Sequence, residues 1–316
     1  MSTIPLTPAR TAGGTDLPDG GALMLSALAA IFWGTNFEAT RIALHHLTPW
    51  TAAGARFGLA AVATLAWLWL RRGIDLRVLR RNLAAFVLLG VAGVAGFNAA
   101  LFVGMQTASP VTAALIMGTT PLTTALFDAL IQRRLPRRVT VLGMGVSLLG
   151  VALTVGAFSG AHFARGDVLI LIGSIGWSLY SIGCRTWVRG AASIETAAWT
   201  MTFGAVGLVA AAFVLGRPVA ELAAADPVTQ GIVIYMALVG SVLAYIFWQV
   251  GIAVRGAAAT SVLFNLVPVA ALAVAAGFGR MPVPAQLAGV AVAIFGVLLA
   301  SGRLRWPGRQ GGRPNR

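Results

Sequence analysis

Apolar residues run in ten long stretches broken by short polar segments, at about 22–43, 50–70, 82–106, 109–131, 139–157, 167–187, 194–215, 229–252, 257–278 and 284–302. Each is near the roughly 20 residues an α-helix needs to cross the hydrocarbon of a bilayer. Helices are required there because lipid offers no partner to an unpaired backbone group. Residues 1–20 are polar and rich in Gly, Pro and Asp, and read as a disordered tail. They lack the basic region of a signal peptide, and the apolar run behind them is too long for one, so it reads as a retained helix. Residues 303–316 form a basic tail.

The second half of the pattern repeats the first. Trp33 and Arg41 recur as Trp177 and Arg185, Arg56-Phe57-Gly58 as Thr202-Phe203-Gly204, Gly104 and Pro121 as Gly251 and Pro268, and Gly143 and Gly150 as Gly289 and Gly296. The offset wanders only between 144 and 147 residues, as an insertion in a loop makes it. Residues 21–158 and 165–302 thus form two copies of five spans each. An odd number of spans turns the second copy upside down. The expected fold is an all-α membrane protein of ten transmembrane helices in two inverted five-helix repeats, an arrangement that builds two exchangeable faces around one site.

Composition and charge sharpen this. Hydrophobic residues make up 58% and charged residues 10% of the 316, with mean hydropathy +0.85, far from the roughly 25% charged of soluble domains. The net charge of +14 does not point to nucleic acid, because the basic residues sit between apolar runs. All 23 are Arg, so there is neither a P-loop lysine for nucleotide hydrolysis nor a Schiff-base lysine for a cofactor. The single Cys184 excludes an internal disulfide, and His45, His46 and His162 read as interfacial or loop residues; no metal or cofactor is expected. Alternate loops collect the arginines, Arg71, Arg72, Arg77, Arg80 and Arg81, then Arg133, Arg134, Arg137 and Arg138, then Arg185, Arg189, Arg255 and the tail. The opposite loops hold Arg165, Arg217 and Arg280, with Arg41 at a helix end. By the positive-inside rule both termini are cytoplasmic, in a bacterial inner membrane.

Trp33-Gly34-Thr35-Asn36-Phe37 resembles the opening motif of EamA-type carriers in the drug/metabolite transporter superfamily. Arg56-Phe57 matches that family's intramembrane RF, the stretch from Asn98 through Gly104 to Pro121 is similar to its third and fourth helices, and the paired Gly143/Gly150 and Gly289/Gly296 to its repeat-ending GxxxxxxG. The likeness covers about residues 22–302. It implies ten helices, a central cavity lined by helices one to four and six to nine, and peripheral fifth and tenth helices. One departure is plain: where the family usually has a Glu at the end of each repeat's fourth helix, this chain has Arg134 and Arg280.

Polar groups inside a membrane are costly, so their faces mark candidate sites. Trp33, Asn36 and Thr40 share one face of the first span, as Trp177, Tyr180 and Cys184 do in the sixth. Asn98, Phe102 and Met105 stripe the third, Ser241, Tyr245, Trp248 and Gln249 the eighth, and Trp199, Thr202 and Phe203 the seventh. These stripes line either a cavity or helix interfaces in which amides and hydroxyls bond across. Pro121 and Pro268 at mid-span free the carbonyls of Met117 and Phe264, either for a substrate ammonium or a hinge, or as fixed kinks satisfied by a neighbour; Asn265 shares a face with Ser261 and Pro268 and is the better binding candidate. Asp128 near Arg133 reads as an interfacial pair. Glu38 and Arg56 lie at similar depth and are expected to pair across the first two helices, as a strut or as a gate or proton-linked element.

The reading is a secondary transporter moving small amphipathic metabolites, amino acids or related compounds, outward by alternating access. Its partners are that solute and the bilayer, with no nucleic acid; protein partners are left open. An exchanger of phosphorylated metabolites or nucleotide sugars is the alternative within the class, disfavoured because Arg56 is the lone arginine well inside a span. From other classes, a lipid-acting membrane enzyme lacks a convergent catalytic set, and deep polar stripes argue against a scaffold or sensor.

Overall fold

The computed structural model describes residues 17–131, 133, 138–154 and 164–300, and these are helical with no strand among them. Among the described residues, eight helices are long and apolar enough to cross a membrane: α1 Asp19–Ala43, α2 Pro49–Arg72, α3 Leu76–Gly104, α4 Pro110–Ile131, α6 Arg165–Thr186, α7 Ser193–Leu215, α8 Pro227–Arg255 and α9 Ala257–Gly277. The segments expected as fifth and tenth spans form α5 Arg138–Thr154 and α10 Pro284–Ala300, apolar but only 17 residues each. At about 1.5 Å per residue they fall a few ångströms short of a full hydrocarbon width. The end of the expected fifth span, 155–157, residues 1–16 of the expected N-terminal tail, the C-terminal tail and Arg134 lie outside the described residues, while Asp19 and Gly20, expected in the tail, begin α1.

Helix starts follow local chemistry. Thr48, Ser109 and Asp226 each cap a helix whose next residue is Pro49, Pro110 or Pro227, with the cap oxygen accepting the N–H of Thr51, Thr112 or Val228. Proline there fixes a helical φ and sacrifices only an N–H that has no helical partner. Gly256, at φ +83°, ends α8 and begins α9 with no intervening loop, a conformation that disfavours any side chain.

Two helix pairs are interrupted at matching places. α3 has a π-helical stretch at Leu89–Gly96 and α8 one at Leu238–Leu243. α4 breaks at Thr119, two residues before Pro121, and α9 tightens to a 3-10 turn at Val262–Asn265, just before Pro268. The packing is reciprocal as well: α1 lies against α8 and α9, α6 against α3 and α4, α2 against α7, and α5 against α10. The α5–α10 contact explains the GxxxxxxG pattern. A Cβ on Gly150 would come 2.5 Å from the carbonyl of Gly289, and one on Gly296 would come 2.7 Å from that of Gly143. In α3, Gly90 meets Phe203 and Gly204, and Gly93 meets the ring of Tyr180; Gly145 faces open space. Large apolar side chains such as Val62, Leu70, Val206, Phe213 and Val214 cover the outside, as a lipid-facing surface requires.

A short surface helix, Pro218–Ala224, is tied to the start of α2 by Glu221, which accepts the N–H of Thr48 at 2.7 Å and of Arg217 at 2.8 Å. Partial burial pushes this carboxyl's pKa up, but the bonds from Arg217 and Thr48 outweigh it and hold the pKa below its ordinary value of 4.5.

Two outcomes are expected. Gly150→Val should lower the yield of monodisperse protein in gel filtration, while Gly145→Val should leave it unchanged. Because the folded-state pKa of Glu221 is depressed, its stabilisation is complete above pH 4.5 and is lost as pH falls through the folded value. Melting temperatures followed downward through that range should fall less steeply for Glu221→Gln than for the parent.

Candidate functional site

At the arginine-poor end of the bundle, seven helices line a narrow cavity. α1 contributes Trp33, Asn36, Phe37 and Thr40; α2 Arg56; α3 Phe97, Asn98 and Leu101; α4 Met117; α6 Trp177; α8 Tyr245; and α9 Phe264 and Val267. Its floor is a block of aromatic rings. Trp33 stacks on Phe264 (5.3 Å between centroids, 10° between planes) and meets Trp177 and Tyr245 edge-on, while Trp248 packs on Phe264 at 4.7 Å. Such pairs each add about 0.5–1.5 kcal/mol beyond area burial, so this floor is rigid.

Gly240, in the π-helical stretch of α8, organises one wall. Its carbonyl accepts Trp33 Nε1–H at 2.9 Å and Arg56 Nη2–H at 3.0 Å, and Arg56 Nε donates to Ser241 Oγ at 2.8 Å. The Asn36 amide occupies the place of a Gly240 side chain: a Cβ there would lie 1.8 Å from Nδ2. The Arg56 guanidinium sits 4.9 Å from the Phe57 ring centroid and 5.8 Å from that of Phe102, with 3% of the residue exposed. Neither of its acceptors is charged. Desolvating an ion costs several kcal/mol, and each bond from it returns about 1.5–3 kcal/mol, so the neighbours only partly compensate this cation. Neither amide atom of Asn36 has a hydrogen-bond partner among the described residues.

The remaining candidates fall into two groups. Trp33, Asn36, Asn98, Trp177, Tyr245 and Arg56 come together on the cavity wall, where Asn98 Nδ2 donates to Val94 O at 2.8 Å and Tyr245 Oη at 3.3 Å. The others lie outside it. Tyr180, Trp248 and Gln249 are buried beneath the floor, with Gln249 Nε2 donating to Tyr180 Oη at 2.7 Å and Cys184 Sγ at 3.4 Å. Phe102 backs Arg56 rather than the cavity. Thr202 bonds the Ala198 carbonyl of its own helix and Phe203 packs on Gly90 of α3, so α7 does not line the cavity. Asn265 is the last residue of the 3-10 turn, buried and off the lining. The Met117 carbonyl is not free for an ammonium, since Thr120 Oγ1 donates to it at 2.6 Å. Pro268 packs against Gly118, joining the two interrupted helices near Pro121. Phe37, Phe97, Leu101, Val267 and Gly240 were not candidates, and Phe264 was one only through its carbonyl; a glycine inside an apolar helical run was the one usable signal, for Gly240.

The expected Glu38–Arg56 pair does not form. Glu38 bonds Arg41, one turn on in α1, at 2.6 Å, and also Arg280. Gly279, at φ +76°, turns the chain after α9 so that Arg280 reaches over the helix end, with its N–H on Ala275 O. Arg56 instead points to α8. Where the family resemblance implies a glutamate, this chain carries the arginine that holds Glu38.

The pairing has a direct test. Glu38→Gln and Arg280→Gln should each lower the melting temperature, and the double variant should lose less than the sum, a coupling on the order of 1 kcal/mol given the half-exposed Arg280. Glu38→Gln with Arg56→Gln should be additive.

A second cavity, with about 670 Å³ of empty space, opens at the arginine-rich end among Thr124, Asp128, Ile182, Arg185, Arg255 and Ala257–Ala259. α4, α6, α8 and α9 contribute to both cavities. Between them lies a layer of buried hydroxyls, Thr120, Ser178, Ser181, Thr260 and Ser261, with Thr123 and Ser178 bonded at 2.5 Å.

Comparison with known proteins agrees with this architecture. A crystal structure superposes on the chain with a TM-score of 0.70 and 21% identity, covering 91% of this chain and 99% of the other. The "Uncharacterized transporter YyaM" of Bacillus subtilis is 35% identical over 283 residues, 88% of this chain and 92% of that protein. The "Probable terminal-alkyne amino-acid exporter" of Streptantibioticus cattleyicolor is 24% identical over 93% of this chain and 98% of its own length. The profile of the EamA-like transporter family matches twice, at residues 20–156 and 164–302, and the chain is a multi-pass membrane protein belonging to that family.

Proposed function

We propose that the protein is a secondary transporter carrying small amphipathic metabolites, amino acids or related compounds, outward across a bacterial inner membrane. In this reading α5 and α10 complete ten crossings, the two five-helix copies are inverted, and both termini are cytoplasmic, so the arginine-rich cavity faces the cytoplasm and the aromatic one the exterior.

The observation that carries the proposal is the pair of cavities on shared helices. Met117 and Thr124 of α4, Trp177 and Ile182 of α6, and Ala259 and Phe264 of α9 each stand five to seven residues apart, about two turns or less, on opposite sides of one layer. Alternating access needs such a layout, a central site closed toward one end by a thin barrier. The lining fits the solute class. It is aromatic and apolar with two amides, one hydroxyl pair and one guanidinium, enough to orient one polar end of a ligand. A phosphorylated solute would need several convergent cations, and Arg56 is the lone one on the lining. The similarity to an amino-acid exporter points the same way.

Two measurements test this. Reporter fusions after residues 75 and 189 should read cytoplasmic and those after 107 and 225 external; reversal at 107 overturns the orientation. Cells fed phenylalanine-containing dipeptides should release phenylalanine faster with the protein than without it. Equal release across a panel of amino acids, with accelerated release of a sugar phosphate, would sink the amino-acid reading and favour the exchanger.

A further inference from the structure

We propose that Arg56 and Asn36 together form the seat of a carboxylate group, so that the solute is an organic carboxylate with an apolar body and its ammonium group, if it has one, is dispensable. The inference deepens the transport reading above and rests on it. Three observations meet at one place. Arg56 is buried on the cavity wall and forms no ion pair among the described residues. The acid nearest on the neighbouring helix, Glu38, is engaged by Arg41 and Arg280 instead. Two of the guanidinium nitrogens are committed to Ser241 and Gly240, which leaves Nη1 without a hydrogen bond among the described residues.

Asn36 supplies the second observation. It is 5% exposed, lines the same cavity, and has no partner for either amide atom. A buried amide in that condition is unusual, because unmet donors and acceptors are costly. The third observation brings the two together: Arg56 bonds the carbonyl of Gly240 while the amide of Asn36 packs on that glycine. A carboxylate is the group that satisfies both at once. It neutralises the guanidinium and accepts from its free N–H and from the Asn36 amide.

The rest of the wall is neutral, and Trp33, Trp177, Phe97 and Phe264 offer ring faces to an apolar body. Asn98 is already engaged with Val94 and Tyr245, and no carboxylate lines the cavity to hold an ammonium. A phosphate dianion would leave a charge unmet, and a cationic solute would be repelled.

Four probes with a phenyl ring two carbons from the polar group separate these cases: phenylalanine, 3-phenylpropanoate, phenylalaninamide and 2-phenylethylamine. In detergent-purified protein, followed by tryptophan fluorescence and thermal shift, the first two should bind and the last two should not. Arg56→Lys keeps the charge but loses the planar fork, and should weaken 3-phenylpropanoate by about tenfold or more. Asn36→Asp, nearly isosteric, should abolish binding of both acids. These arms stand even if Arg56→Gln fails to fold. Equal binding of the amide or the amine overturns the carboxylate seat and leaves the transport reading intact. Unchanged 3-phenylpropanoate binding in Arg56→Lys and Asn36→Asp also overturns it. No binding of any of the four overturns the seat and the amphipathic-metabolite reading together.

Discussion

The arrangement of the cavity depends on a single backbone carbonyl. Gly240 accepts from Trp33 of α1 and Arg56 of α2, and it gives up its own side chain to make room for Asn36. Three helices are thereby fixed in register at one residue. The π-helical stretch at Leu238–Leu243 makes this possible by shifting the backbone out of the regular helical ladder, and π-helical stretches of this kind are frequent at functional sites. Any side chain at position 240 would collide with Asn36 and push α1 away from α8. The neutral bond from Trp33 is worth about 1 kcal/mol and the charged one about twice that, so the carbonyl anchors the wall without discharging the cation it holds.

The two copies supply the same framework and different chemistry. Interrupted helices and the paired glycines of α5 and α10 recur in both. The polar residues do not. Asn36, Glu38, Thr40 and Arg56 of the first copy correspond to Tyr180, Ile182, Cys184 and Thr202 of the second. The first copy places a guanidinium and an amide on the wall; the second places bulk and hydroxyls beneath it, where Gln249, Tyr180 and Cys184 bond to one another. Repetition therefore builds the scaffold and divergence builds the site. An asymmetric ligand is what such an asymmetric lining accommodates.

How far the sequence could be read follows from how local each constraint is. Helix ends were legible because caps, prolines and apolar length act within a few residues. The inward face of α1 was legible because Trp33, Asn36 and Thr40 repeat at helical spacing. The partner of Glu38 was not, since it comes from the turn after α9 and depends on the backbone of Gly279. Depth alone suggested Arg56, and depth does not specify azimuth. Thr202 and Phe203 misled for the same reason: α7 carries aromatic and small polar residues on more than one face, and only the close approach of Gly90 fixes which face meets α3. The role of Gly240 was hidden because a glycine reports that something is close without saying what.

In the transport reading proposed above, the layer between the two cavities is the part that opens. It is made of short hydroxyl side chains rather than interlocked rings, and three of its hydroxyls or their neighbours, Thr124, Ser181 and Thr260, have no hydrogen-bond partner among the described residues. Unlike the aromatic floor, a layer of this kind gives up little dispersion energy when its helices separate. The breaks in α4 at Thr119 and in α9 at Val262–Asn265 fall beside it, where the regular helical ladder is already interrupted. Rigidity is concentrated at Gly240 and the ring cluster, which hold the ligand wall, and softness lies one turn away on the helices common to both cavities. In the proposed transport reading, the solute keeps its contacts with the wall while the hydroxyl layer opens.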